Sequence, residues 1–482
     1  MSNSLKKLLT EFRYLEQNSM NIKKGSIFLA YPGENNDGRK YIDEAIRKGA
    51  GAVIYDSSGF KWNKQWDLPN LSVKNLKDSI SDIASEFYNY PSRNMNLIGV
   101  TGTNGKTSTV YWTTQCLRHL KRKAKMISTI GYGSLDDLQP TVNTTPDALK
   151  IQSIINNFSI DQVQDACIEV SSHGIKQGRV SGIEFNVRVF TNLSRDHLDY
   201  HQSLEAYANT KKDFLLSAKE GYAVINIDDT LGKKIFKESS LDNSHKISFG
   251  IDSKAKIQAK NLITESKKTK FDLIYQDEIF NIEVSVVGKY NIYNILGVIG
   301  SLISLGYKVE DVIPILKTLR PIPGRAELLD IGLENCPRVI VDYAHTPDAL
   351  KNILGVLKLL KNKNLNVVFG CGGDRDRGKR KEMAAIVNQY ADFAIVTSDN
   401  PRNEEQQDIT DEICKYLNIS NIAIEDREEA IKEVLKKSDK DDLILIAGKG
   451  HETYQEVKGV RNFFSDALIA KKYATIFFGV EN

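Results

Sequence analysis

The sequence predicts an α/β protein of three domains: a central P-loop domain on a mostly parallel sheet, a small N-terminal α/β domain and a C-terminal Rossmann-like α/β domain. Three observations predict it. A glycine-rich turn, Gly102-Thr103-Asn104-Gly105-Lys106-Thr107-Ser108, follows the apolar run Met95 to Val100 and precedes a segment that can be helical. Short apolar or β-branched runs ending beside polar residues recur after it, as the buried strands of a parallel sheet do. The pattern then restarts beyond Pro321-Ile322-Pro323-Gly324-Arg325, with a glycine turn of its own at Gly370-Cys371-Gly372-Gly373-Asp374.

A chain of 482 residues is too long for one ordinary hydrophobic core. Residues 1–93 carry strand candidates at Ser26 to Ala30 and Ala52 to Tyr55 and a charged helical segment at Tyr41 to Lys48. Tyr90-Pro91-Ser92-Arg93 reads as the linker, because proline biases its predecessor toward extended backbone. Residues 94–325 interleave strands at Leu97 to Val100, Ala166 to Glu169, Val187 to Thr191 and Ala223 to Ile227 with helices. The alternating runs Phe271 to Tyr275 and Ile279 to Val287 suggest an antiparallel edge. Residues 326–482 supply strand candidates at Arg338 to Asp342, Leu365 to Phe369, Ala394 to Thr397 and Asp442 to Ala447, with helices near Asp348 to Leu360, Lys379 to Tyr390 and Arg427 to Lys437.

With 41% hydrophobic and 26% charged residues the composition is that of an ordinary globular protein. Sixty-five basic against sixty-two acidic residues, dispersed along the chain, imply no nucleic-acid track. Cys116, Cys167, Cys336, Cys371 and Cys414 lie far apart without a C-x-x-C pair, which argues against a zinc ribbon or disulfide scaffold and for a reducing cytoplasm. No run reaches the roughly 18 apolar residues of a membrane span. The segment Ile292 to Leu305 reads as a buried helix instead.

A glycine-rich turn between strand and helix aims backbone N–H groups and the positive helix end at one place, which suits polyphosphate. Lys106 would reach the terminal phosphates and Thr107 would ligate Mg²⁺, so ATP or GTP is the first substrate to consider. Val100 stands where the usual spacing has its first glycine, with Gly99 and Gly102 flanking it. Glu169 closes a strand and leads into Val170-Ser171-Ser172-His173-Gly174, so Thr107, Glu169 and His173 could surround a hard cation. Two acids and two histidines between Asp196 and His201 suggest an active-site loop. Lys211, by contrast, reads from its helix as a solvent-facing lysine.

Asp342-Tyr343-Ala344-His345-Thr346-Pro347 again follows a strand, and Gly372 to Arg380 sets four cations beside two acids, a pattern that grips phosphate or carboxylate. Ser398-Asp399-Asn400-Pro401-Arg402 and Gly448-Lys449-Gly450-His451-Glu452 follow two further strands. If both loops share a rim, Arg402 can hold a carboxylate while Asp399 and Glu452 accept from an ammonium, a site for an amino acid. A nucleotide, a metal and an amine site together suit phosphorylation of a carboxylate followed by attack of the amine on the acyl phosphate.

These loops, in this order, resemble the Mur ligase family, the ATP-dependent enzymes that build the peptide stem of bacterial peptidoglycan. The resemblance rests on Gly102 to Ser108, Glu169-Val170-Ser171-Ser172-His173, Thr191-Asn192-Leu193 with Asp196-His197-Leu198-Asp199, Gly288-Lys289-Tyr290-Asn291-Ile292-Tyr293-Asn294, Pro323-Gly324-Arg325 and Asp342 to Pro347. It implies a uridine-nucleotide-binding domain, a central ATPase and a C-terminal amino-acid domain. It further implies a ligase that joins meso-2,6-diaminopimelate to UDP-MurNAc-L-Ala-D-Glu, cytoplasmic and monomeric.

Residue by residue, the resemblance places ATP on Gly102, Thr103, Asn104, Gly105, Lys106, Thr107, Ser108, Asn291, Arg325 and Asp342. It gives catalytic roles to Lys106, Glu169, His197, Lys211, Asp342 and His345, and Mg²⁺ to Thr107, Glu169, His197 and Lys211. It makes Lys211 a carbamylated lysine, against the reading from its helix alone. The sugar dipeptide falls to Ser19, Asn143, Thr144, Thr145, Ser171, Gln177, Arg179 and Lys211, and diaminopimelate to Arg375, Asp399, Asn400, Pro401, Arg402, Gly448 and Glu452. Asn18-Ser19-Met20 departs from the aspartate, serine and arginine that relatives often carry there. A folate-polyglutamate ligase would share the phosphate loop but lack the Asp399 to Arg402 loop and the first domain, and a nucleotide-regulated scaffold would have no use for Lys211, His197 and Arg402 together.

Overall fold

The computed structural model describes residues 3–33, 36–217, 221–238, 242, 245–265 and 268–479. Strands β1 (Tyr14–Glu16), β2 (Ser26–Ala30), β3 (Ala50–Asp56) and β4 (Asn70–Val73) form a parallel sheet in that order. Strand β2 and most of β3 are fully buried, between the side chains of helix Leu76–Phe87 on one face and helix Ile42–Arg47 on the other.

The second sheet holds β5 (Asn96–Thr101), β6 (Ala124–Ser128), β7 (Gly131–Ser134), β8 (Asp137–Gln139), β9 (Asp165–Glu169), β10 (Val187–Phe190), β11 (Tyr222–Asn226), β12 (Lys246–Gly250), β13 (Ile257–Thr264), β14 (Thr269–Tyr275) and β15 (Glu278–Val284). Their spatial order is β15-β14-β13-β12-β11-β10-β5-β9-β6-β7-β8. β5, β9 and β6 pair in parallel, whereas β13, β14 and β15 form the antiparallel edge expected from their alternation. Val100 pairs with Glu169, so the acid ends its strand beside the residues that enter the phosphate loop. Helix Lys289–Ser304 covers the predicted apolar segment and is buried along most of its length.

The third sheet comprises β16 (Glu327–Leu328), β17 (Arg338–Asp342), β18 (Leu365–Phe369), β19 (Phe393–Val396), β20 (Ser420–Ala423) and β21 (Leu443–Ala447), ordered β16-β17-β21-β18-β19-β20. All but β16 run parallel, and apolar cores lie on both faces. Ligands of such sheets bind outside the carboxyl ends of the strands, which is where the loops after β17, β18, β19 and β21 lie. A hairpin of β22 (Tyr454–Val457) and β23 (Val460–Phe463) follows.

By compactness the chain divides into two units, Met1–Thr101 with Leu117–Val189 and Asp213–Ala223, and Gly102–Cys116 with Phe190–Lys212 and Val224–Asn482. Among the described residues no helix is long and apolar enough to cross a membrane.

One local expectation fails. Tyr90 is not extended before Pro91 but left-handed, with φ 52° and ψ 56°. Helix Leu76–Phe87 ends there, and the Tyr90 N–H closes on the Ser85 carbonyl at 2.7 Å while Asn89 is left-handed too. Capping of the helix C-terminus outweighs the preference that proline imposes on its neighbour.

Candidate active site

The phosphate loop leaves β5 and turns into helix Lys106–His119. Gly105 has φ +84°, and a Cβ there would collide with the Asn294 side-chain amide, so the turn tolerates only glycine. The loop is pinned through Asn104, whose N–H donates to Asn192 Oδ1 at 2.9 Å and whose Nδ2 donates to Asp348 Oδ2 at 2.9 Å. Lys106 folds back, its ammonium donating to the carbonyls of Gly102 and Thr103 at 3.1 and 2.8 Å. Arg325 reaches the same turn, with Nη2 donating to Thr107 Oγ1 at 2.9 Å and its guanidinium 4.3 Å from the Tyr343 ring centre. Asn291 is buried, and its Nδ2 donates to the Val287 carbonyl at 2.9 Å.

Lys211 is not solvent-facing. It is 1% exposed, donates from Nζ to the Gly102 carbonyl at 2.8 Å and lies 4.5 Å from the centre of the Tyr207 ring. Burial, with the Lys106 ammonium nearby, pushes its amine well below the usual lysine range.

Next to it stands a buried charge cluster. Asp196 accepts from Lys379 through Oδ1 and lies 3.3 Å from His197 Nε2. Burial alone would raise the Asp196 carboxyl, but the charges of His197, Lys379 and His345 hold it below the carboxylate range. The His345 imidazole is pushed down by burial, with Asp196 opposing, and its Nδ1 lies 2.8 Å from the Tyr343 carbonyl. His197 itself has a left-handed backbone, φ 53°, which sharply ends the approach to the loop. Asp342 accepts from the Ala326 and Ala344 amides at 2.6 and 2.7 Å, so its carboxylate ties the loop after β17 to the chain that follows Arg325. Burial raises its pKa and Arg325 opposes that.

The loops after β18, β19 and β21 meet as the amino-acid reading requires. A Cβ on Gly373 would strike the Pro401 carbonyl, and one on Gly448 would come within 2.9 Å of Asp399 Oδ2. Arg402, left-handed at φ 53°, donates through Nη1 to the Gly373 carbonyl at 2.7 Å. The Arg375 guanidinium is held below its usual range by burial and by the charge of Arg402, so two cations stand near each other. Lys449, wholly buried, donates to Glu452 Oε2 at 2.8 Å and to Asn400 Oδ1 at 3.1 Å. Asn400 Nδ2 also donates to Glu452 Oε2, at 3.0 Å. The ammonium acceptors inferred from sequence thus already have one amine among them.

In the other unit, the sugar-dipeptide candidates cluster around the end of β9. Thr145 Oγ1 donates to the Glu169 carbonyl at 2.8 Å and accepts from the Ser171 N–H at 2.9 Å. Arg179 donates to the Thr145 carbonyl at 2.5 Å and to Gln177 Oε1 at 2.8 Å. Thr129 Oγ1 lies 3.1 Å from Thr144 Oγ1 and, with its own N–H, fixes Glu169 Oε2 at 3.0 Å. Asn143 is exposed on the approach to this cluster, and His173 sits in the short helix Ser172–Lys176 that Ser171 caps. Ser19 is buried and bonded to Glu44 at 2.9 Å. Asn18 caps its own turn through the Met20 N–H.

Sequence reasoning missed Lys379 as the partner of Asp196 and Lys449 as the amine under Glu452. It also passed over Arg427 and Asp466. Cations in strand-end loops were visible, but which acid each would meet depends on strands far apart in the chain.

Residues 11–88 match the family described as Mur ligase family, catalytic domain; residues 100–302 match Mur ligase middle domain, and residues 324–450 match Mur ligase, glutamate ligase domain. The chain is 38% identical to the UDP-N-acetylmuramoyl-L-alanyl-D-glutamate--2,6-diaminopimelate ligase of Nitrosomonas europaea, over 97% of this chain and 94% of that protein. A solved structure of a ligase with the same description superposes with a TM-score of 0.67 at 31% identity, covering 96% of this chain and 95% of that one. MurF ligase from Thermotoga maritima, solved with ADP, shares the fold with a TM-score of 0.70 at 21% identity, covering 99% and 100%.

Proposed function

The chain belongs to the Mur ligase family, and we propose that Lys106, Lys211, Asp196 and the loops after β17, β18, β19 and β21 carry its reaction in the roles set out below. It is an ATP-dependent ligase that adds diaminopimelate to UDP-MurNAc-L-Ala-D-Glu in peptidoglycan synthesis. The three consecutive matched regions are the three α/β domains of that family. One observation carries the residue assignment: the phosphate loop and the Asp399–Arg402 loop belong to one compact unit, in which Arg325, Asp348 and Lys379 reach phosphate-loop and Asp196-loop groups from the C-terminal part of the chain.

The D-glutamate carboxylate of the sugar dipeptide attacks the γ-phosphorus of ATP, the bond to the β-phosphate oxygen breaks, and ADP leaves. The amine of diaminopimelate then attacks the acyl carbonyl, phosphate departs with the electron pair, and the amine proton goes to a base. Backbone N–H groups at the start of helix Lys106–His119 and the Lys106 ammonium stabilise charge on the transferring phosphate. Arg402 and Arg375 hold a carboxylate of diaminopimelate, and Asp399 and Glu452 hold its distal ammonium, with Asn400 and Lys449 fixing Glu452 in place. Lysine lacks that second carboxylate, and two guanidiniums left without an anion disfavour it.

Thr107 on the phosphate loop would offer Mg²⁺ a hard oxygen donor, and in the other unit Glu169, whose carboxylate Thr129 orients, is a donor of the same kind. Among the described residues no group of three or more acids, histidines or cysteines forms a dedicated cage. That suits an ion held by one or two carboxylates together with substrate phosphates and waters. Mg²⁺ would neutralise charge on the phosphates; His197 and a carbamylated Lys211 would complete its surroundings. Burial that disfavours the ammonium frees the electron pair with which an amine bonds CO₂, forming a carbamate with loss of a proton. The substrates of the family reaction, ATP and a UDP-linked sugar dipeptide, support a cytoplasmic enzyme.

The test is phosphate release by purified protein with each substrate omitted in turn. Release only when the sugar dipeptide and diaminopimelate are both present supports the assignment, and equal turnover with lysine refutes the specificity of the Arg402 pocket.

A further inference from the structure

Beneath the amino-acid loops lies an ion pair wholly removed from solvent. Arg427 opens helix Arg427–Lys437 and Asp466 opens helix Asp466–Phe478, and both side chains are fully buried. The guanidinium binds the carboxylate through both prongs, Nε to Oδ1 and Nη2 to Oδ2, each at 2.8 Å. Two of its three other N–H donors go to backbone: Nη1 to the Ser398 carbonyl at 3.1 Å and Nη2 to the Ala447 carbonyl at 2.9 Å.

Those two carbonyls immediately precede Asp399 and Gly448. They follow or end β19 and β21, which lie on opposite sides of β18. Strands separated by a third are about 10 Å apart and share no ladder hydrogen bonds, so the sheet itself does not fix one loop against the other. The Arg427 fork does so at the base of the loops, beneath the direct bonds that Lys449 and Glu452 make to Asn400. Gly448 is pressed into the same place, at φ +117°, where a Cβ would meet Asp399 Oδ2 and lie 3.9 Å from Arg427 Nη2.

Stability alone does not account for the pair. Two buried charges lose their hydration, and apolar side chains of similar volume commonly hold such positions equally well. Apolar side chains could not bind two carbonyls from non-adjacent strands, and a lysine ammonium, a single nitrogen, could not span both carbonyls while also gripping the carboxylate through two prongs.

We propose that the Arg427–Asp466 pair is a positioning device for the amino-acid pocket, setting the Asp399–Arg402 loop and the Gly448–Glu452 loop at the spacing that accepts an amino acid charged at both ends. It touches no substrate; it acts through the two loops. The inference rests on the reading of those loops as the diaminopimelate site.

The experiment compares wild type with Arg427→Lys and with the double variant Arg427→Met/Asp466→Leu, measuring KM for diaminopimelate, lysine, ATP and sugar dipeptide. Both variants should raise KM for diaminopimelate by about tenfold or more and shrink the preference for it over lysine, while KM for ATP stays within about twofold. A merely structural pair would lower thermal stability or change every KM alike, and unchanged diaminopimelate KM and preference would overturn the proposal. Arg427→Lys keeps the ion pair and only loses the fork, so it decides the matter if the double variant does not fold. Arg402→Ala in the same assay separates the two failures: if it too leaves diaminopimelate use intact, the pocket reading is at fault rather than the clamp.

Discussion

Lys211 Nζ lies 2.8 Å from the carbonyl of Gly102, which joins the middle of helix Leu204–Leu216 to the first residue of the phosphate loop. In an amine so placed, burial and the Lys106 ammonium both disfavour the proton and push its pKa well below the usual lysine range. Lys211→Met should therefore cost turnover by about a hundredfold or more through the lost transition-state group while ATP binding persists, as read by steady-state kinetics beside calorimetric titration. Added bicarbonate should raise wild-type activity and leave the variant unchanged.

The same lysine makes stability depend on alkaline pH. Its folded pKa lies below the unfolded value of about 10.4, so the unfolded chain binds more protons in the interval between them and stability rises with pH there. Below the folded value the full penalty for burying the ammonium remains. Denaturant titrations across this interval should show a rising slope in wild type that Lys211→Met removes.

Asp196 titrates with the same sign at the acid end. Its folded pKa is depressed, so it contributes stability fully above the unfolded value of about 3.9, and that contribution is lost as pH falls through the lower folded value. Asp196→Asn leaves Lys379 buried without its counter-charge and should destabilise by about 3 kcal/mol, measured as a fall in the urea midpoint at neutral pH.

Gly105→Ala places a methyl group against Asn294 in a left-handed turn. ATP affinity should fall at least about tenfold with little change in diaminopimelate KM, since strain of about 1 to 3 kcal/mol enters the phosphate loop alone. Nucleotide titration calorimetry reads it directly.

Arg402→Ala removes a charged donor from the amino-acid pocket. Loss of such a bond is worth about 1.5 to 3 kcal/mol, so KM for diaminopimelate should rise about ten- to a hundredfold while KM for ATP is unchanged. The panel of diamino acids used for phosphate release shows it.

How far the sequence reveals this arrangement depends on the range of the interactions. The strand before Gly102, the helix after Lys106 and the helix Arg427–Lys437 follow from local apolar periodicity, and they stand where that pattern puts them. The turn at Tyr90 departs because a helix cap competes with proline at one residue. Lys211 looks exposed in its helix because the carbonyl that receives it comes from 109 residues earlier. Asp196 meets Lys379, 183 residues on, from a different sheet, and Arg427 meets Asp466 within the third, pairings that no local spacing encodes.

The central claim is that ATP converts the D-glutamate side-chain acid into an acyl phosphate before the amine attacks. Sugar dipeptide labelled with ¹⁸O in that carboxylate, turned over with ATP and diaminopimelate, tests it most directly. One labelled oxygen in the released phosphate is the predicted result; label-free phosphate alongside normal amide formation would contradict it.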